Sequence, residues 1–182
     1  MRRASLAMSR EQQLHRRIRA LTCLVILGLV VSGATAIPLE WELSLMVKWL
    51  GIADLKPIPE LDGLIGWIHR VWLAVRDTDA QYPFLAYGTD WLAFGHVVIA
   101  IAFFGALRDP VRNRWLFTFG MIACGLVVPW AFVFGEIRAI PLGWRLIDCA
   151  FGVLGFVPLW FARRAVDELE SLAASRGKSP VA

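Results

Sequence analysis

Residues 87–114 read YGTDWLAFGHVVIAIAFFGALRDPVRNR. From Trp91 to Leu107 every residue but one is apolar or glycine, and the exception is His96. The run is near the length of about 17–25 residues with which a helix crosses a bilayer. A helix is the form to expect, because lipid offers no partner to open backbone groups. Asp90 stands at the mouth of this segment and His96 about 9 Å further in, at the helical rise of ~1.5 Å per residue. Ionisable groups at such positions are costly, so they are candidates for function before anything else.

Three more apolar blocks flank this one, at residues 20–37, 115–134 and 142–161. They account for a chain of 182 residues that is 58% hydrophobic, with a mean hydropathy of +0.58. A soluble domain is usually about 45–50% apolar. The expected fold is therefore all-α: an integral membrane four-helix bundle, with residues 20–161 as the membrane domain. Eight of the nine tryptophans fall near block ends or in the long connection, as in an interfacial aromatic belt; Trp130 alone lies inside a block.

Charge supplies the orientation. Residues 1–19 carry Arg2, Arg3, Arg10, Arg16, Arg17 and Arg19 against Glu11. Arg108, Arg112 and Arg114 fill the short turn after the second block, and Arg163, Arg164, Arg176 and Lys178 lie in the 162–182 tail. The connection at 38–89 is acid-rich instead. The positive-inside rule then puts both termini and the 108–114 turn in the cytoplasm, and the 38–89 connection and the 135–141 turn outside. Topology accounts for these basic runs without nucleic acid. The lipid bilayer is the expected partner, together with other membrane subunits or further copies of the chain. The first block also resembles a signal peptide, with small residues at Ala34 and Ala36. Pro38 follows closely and the basic region is long, so retention of the span is the expectation.

Local patterns refine the outline. Ser9 and Gln12 fit a capping box, which starts the first helix well before the membrane. Gly28, Ser32 and Ala36 recur at every fourth residue and suggest a seam for close helix contact. In the connection, residues 39–50 have helical spacing, residues 53–63 form a proline-punctuated break, and residues 61–76 make an apolar stripe with Asp62, His69 and Arg76 on the polar face. That describes an amphipathic interfacial helix with a solvated His69. The fourth helix should continue to Gly177. Cys23, Cys124 and Cys149 lie in apolar blocks without C-x-x-C spacing, so neither a disulfide nor a cysteine metal cluster is expected.

In a bundle of this topology Asp90, His96, Arg138, Arg145 and Asp148 belong to one polar layer at the outer edge. Asp90, following Gly88 and Thr89, reads as a helix cap. His96 is expected to face inward, either as polar glue between helices or as a proton-exchanging or ligating group. Arg145 and Asp148, at i and i+3, can pair locally. A His69–His96 haem pair has no supporting context, and His15 sits in the basic tail. No metal site or cofactor is expected. There is no H-E-x-x-H, G-x-S-x-G, Walker A or G-x-G-x-x-G motif, hence no sequence basis for a nucleophilic or nucleotide-dependent enzyme.

The strings YPFLAYGTDWLAFGH, RDPVRN, FGMIAC and IRAIPLGWRLIDCAFG resemble a family of small bacterial four-span inner-membrane proteins whose activity is uncharacterised. The likeness covers about residues 82–161. It implies a bacterial inner-membrane location and carries no activity. The family often has proline where Glu136 stands, which removes Glu136 from the candidate layer. Two functions compete. The layer binds a small ligand, ion or lipid headgroup, with Arg138 and Arg145 for an anion and Asp148 orienting one of them; or the chain is a subunit of a larger membrane complex and the layer is structural. A cavity reaching His96 favours the first. A small-residue seam left open by the chain's own helices favours the second.

Overall fold

The computed structural model describes residues 9–54 and 63–177. Among these the chain is all-helical: α1 (Arg10–Ala36), α2 (Leu39–Trp49), α3 (Leu64–Gln81), a 3₁₀ turn (Pro83–Ala86), α4 (Tyr87–Arg108), α5 (Arg114–Ile137) and α6 (Leu142–Gly177). Four helices are long and apolar enough to cross a membrane: α1, the continuous Pro83–Arg108 segment, α5 and α6. These contain the four expected blocks, and the short α2 and α3 lie in the long connection.

The ends of the helices follow from local chemistry. Before α1, the Ser9 Oγ accepts the Gln12 N–H at 3.2 Å, and Gln12 Oε1 accepts the Ser9 N–H at 3.1 Å, the reciprocal capping box that the sequence suggested. Pro38 cannot donate to a preceding turn, and α1 gives way to α2 there. Helix α2 ends at Trp49, and Gly51 just beyond it takes a φ of 67°, which suits glycine; the Ile52 N–H reaches back to the Val47 carbonyl at 3.1 Å, and both side chains are buried. Helix α6 runs unbroken to Gly177 and passes through Pro158, as α5 passes through Pro129.

The chain divides into two compact units, residues 1–28, 100–127 and 151–182 in one and residues 29–99 and 128–150 in the other. In the first unit the buried face of α1 is Leu14, Ile18 and Thr22, spaced by four. The Thr22 hydroxyl donates to the Ile18 carbonyl at 2.7 Å, so burial leaves it satisfied. Phe103 and Phe117 meet edge to face at 6.2 Å. Small residues bring α5 and α6 together. A Cβ added at Gly152 would stand 2.7 Å from the Cys124 carbonyl oxygen, and one at Gly155 2.9 Å from the Cys124 Sγ. The turn between α4 and α5 is tied by Asn113, whose Nδ2 donates to the carbonyls of Gly105 at 3.0 Å and Asp109 at 2.9 Å. Beyond the apolar stretch of α6, ion pairs Arg10–Glu168 and Arg114–Glu170 tie the starts of α1 and α5 to it.

In the second unit α2 packs on α3 through Leu43, Val47, Ile52, Ile68 and Trp72. Of the apolar stripe of α3, Ile68 and Trp72 are buried in this contact, and Leu64 and Ile65 stay exposed. Two expectations are corrected here. His69 is buried at 4% exposure, beside the Trp72 ring at 5.6 Å, and is not solvated; its Nε2 has no hydrogen-bond partner among the described residues. The reason is its register: the buried residues of α3 are Gly66, Ile68, His69 and Trp72, with Gly66 and His69 at i, i+3 and Ile68 and Trp72 at i, i+4 on one helical face. Asp62, the residue used to assign the polar face, lies outside the described residues. The expected seam is also displaced. Gly28 and Ser32 are exposed, with nothing within 4 Å of a Cβ at Gly28, whereas Gly33 is buried against Ala93 and His96.

Candidate functional site

The five residues assigned to the polar layer all lie in the second unit, and no hydrogen bond or ion pair joins any two of them among the described residues. Asp90 is not a cap. Pro83 starts the helical run earlier, so Asp90 falls in the first turn of α4, exposed and without a side-chain hydrogen bond among the described residues. What remains of its expected role is a favourable charge at the helix N-terminus. His96 is half-buried. Its Cβ lies where α4 meets Gly33 of α1, 3.1 Å from a Cβ built there, and its Nδ1 is 2.8 Å from the Leu92 carbonyl of its own helix. That contact places the proton on Nδ1, since a carbonyl oxygen can only accept. The cleft at the α1–α2 junction is not lined by His96.

Arg145 does not pair with Asp148. Its Nη1 donates to Glu136 Oε2 at 2.7 Å and its Nε to the Ile140 carbonyl at 2.6 Å. The side chain is 13% exposed and lies on the backbone of α5: a Cβ at Gly135 would stand 2.7 Å from its Cδ. The turn beneath it closes as a Schellman motif, with the Ile140 N–H on the Gly135 carbonyl at 2.8 Å and the Ala139 N–H on the Glu136 carbonyl at 3.1 Å. Ala139 occupies the left-handed position at φ 53°, where glycine is usual. Glu136, set aside on the family pattern, is therefore the partner of Arg145. Arg138 is exposed, and Asp148 is half-buried. This arrangement is a clip that fixes the α5–α6 turn, and an arginine so engaged is not free to receive an anion.

A concave feature of this unit lies elsewhere. A cleft of about 450 Å³ opens where the α1–α2 junction, the end of α3 and the 3₁₀ turn meet. Sites for small ligands commonly measure about 300–1,000 Å³. Its walls include Trp41, Val75, Tyr82 and Leu85, and its polar groups include Glu40, Thr78 and Asp79. Sequence reading passed over these residues because the acids of the connection were spent on the topology argument. The signal was Glu40 and Trp41 just after Pro38, an acid beside an aromatic ring at the junction of two helices. Among the described residues no group of three or more histidine, cysteine, aspartate or glutamate side chains is placed to hold a metal.

Compared with protein-family models, curated proteins and solved structures, the chain matches none.

Proposed function

We propose that this chain is a multi-pass protein of a bacterial inner membrane, with both termini in the cytoplasm, and that it binds a small amphiphilic ligand in the cleft of its outer connection. The arginine distribution and the family resemblance support the location. The observation that carries the binding reading is the cleft itself, with apolar and aromatic walls and a few polar groups at one place. In the histidine–arginine layer His96 and Arg145 are engaged locally, Asp90 and Arg138 are exposed, and Asp148 is half-buried without a partner among the described residues, so the reading rests on the cleft and not on the layer. The test is to extract the protein purified in a mild detergent and to identify what co-purifies. Wild type should carry an amphiphile that Ala74→Trp, which fills the cleft, has lost. Equal amounts in both would remove the cleft from the function.

A second reading, a subunit of a larger membrane assembly, is supported by Gly28, exposed with open space around it. Leucine at Gly28 fits the isolated chain. If an assembly forms there, Gly28→Leu should break it on a native gel while leaving the melting temperature of the separated chain unchanged.

A further inference from the structure

Five carboxylates are paired with arginine among the described residues: Glu136 with Arg145, Asp77 with Arg76, Asp167 with Arg163, Glu168 with Arg10 and Glu170 with Arg114. The two acids of the cleft are not. Glu40 and Asp79 both line it, and no lysine, arginine or histidine does. Asp79 makes no ion pair or hydrogen bond among the described residues. Glu40 is held in place by neutral donors. Its Oε1 accepts the Ser44 hydroxyl at 2.8 Å, and the Ser44 oxygen accepts the Trp72 indole N–H at 2.9 Å. Trp72 is itself fixed in the α2–α3 core. One carboxylate oxygen is thus anchored through a relay into the core, the other is left for an occupant, and the negative charge is not cancelled.

We propose that the occupant is an alkylammonium group, an amine cation on an apolar chain, with its charge neutralising Glu40 and Asp79 and its chain against Val75 and Leu85. This rests on the cleft being the binding site. An anion would meet two carboxylates. A neutral amphiphile would cover them without compensation, which is costly. A divalent cation would want about six oxygen ligands, and the walls are mostly carbon. An ammonium group suits both the carboxylates and the faces of Trp41 and Tyr82. The same chemistry is offered by the ethanolamine headgroup of a phospholipid and by a free amphiphilic amine.

The experiment is calorimetric titration of the full chain in maltoside micelles, against a micelle-only blank, with nonylammonium, 1-nonanol and nonanoate as probes. Nonylammonium should bind, and the other two should not. Glu40→Gln and Asp79→Asn should each weaken it by about tenfold or more, as expected for loss of a charge-assisted contact. Glu42→Gln, a charge change outside the cleft lining, should leave it unaltered, which separates a local site from the general field of the protein. Equal binding of alcohol and amine, or full binding by the Glu40→Gln, Asp79→Asn double variant, would overturn the ammonium assignment. If alcohol or nonanoate binds instead and Ala74→Trp abolishes it, the cleft stands and the ammonium class falls. If no probe binds, both fall. Competition of nonylammonium by phosphatidylethanolamine, with phosphatidylglycerol inert, would identify the lipid as the source; competition by soluble amines alone would identify a free ligand.

Discussion

At the residue scale, the same charges can be read as a site or as a clip, and geometry decides. Arg145 lies on the glycine backbone of α5 and bonds both a carboxylate and a carbonyl. Removing it strands the Ile140 carbonyl and uncovers Gly135. We predict that Arg145→Ala lowers stability by about 1–2 kcal/mol, the cost of a lost charge-assisted bond with partial burial. Glu136→Gln should cost less than about 0.5 kcal/mol, because the glutamate side chain is 78% exposed and surface pairs contribute little. Thermal midpoints in one detergent would compare the two; equal losses would contradict the clip. Ala139 offers a test of opposite sign. Glycine at φ 53° relieves the Cβ clash, so Ala139→Gly should raise stability by up to about 1 kcal/mol, and a loss would mean that the turn is held differently. None of this was legible from spacing. Arg145 and Asp148 satisfy the i, i+3 rule, but the rule knows only one helix, and the real partner belongs to the preceding one. Asp90 was misread for a related reason: the proline-led turn at Pro83 moved the helix start away from it.

At the element scale, glycine positions separate contacts that are made from surfaces that are open. Gly152 faces the Cys124 carbonyl, which is backbone and cannot swing aside. Gly152→Ala should therefore cost about 1–3 kcal/mol through forced separation of α5 and α6. Gly28→Ala should be neutral or slightly stabilising, since its surroundings are open and alanine is the better helix former. Unfolding of both variants in the same detergent would check this, and a damaging Gly28→Ala would restore the seam that the four-residue spacing suggested. That spacing gave the period of α1 but not its phase. The buried face runs through Leu14, Ile18 and Thr22, and Gly33 continues the burial in the second unit; in a membrane the exposed face is apolar too, so hydropathy cannot tell which side packs. The phase of α3 was misjudged by leaning on Asp62 and Arg76, when His69 stands beside Ile68 and one turn before Trp72, the two apolar residues that α3 buries.

At the scale of the whole molecule, the four long helices were legible because apolar length is a physical requirement that a sequence cannot hide. The cleft was not, because it is made where the α1–α2 junction meets the end of α3, a tertiary event with no periodic signature. The orientation rests on arginine placement. A reporter enzyme fused after residue 182 should be active only where it senses cytoplasm, and one inserted after Gly51 only where it senses the outside; the opposite pattern would place the cleft on the cytoplasmic face. The account's central claim is that the cleft, and not the layer around His96, is where this protein binds. The most direct measurement is the nonylammonium affinity of Ala74→Trp and His96→Leu, determined side by side in maltoside micelles. The account predicts that Ala74→Trp abolishes binding and that His96→Leu leaves it unchanged. Binding that survives in Ala74→Trp and disappears in His96→Leu would contradict it.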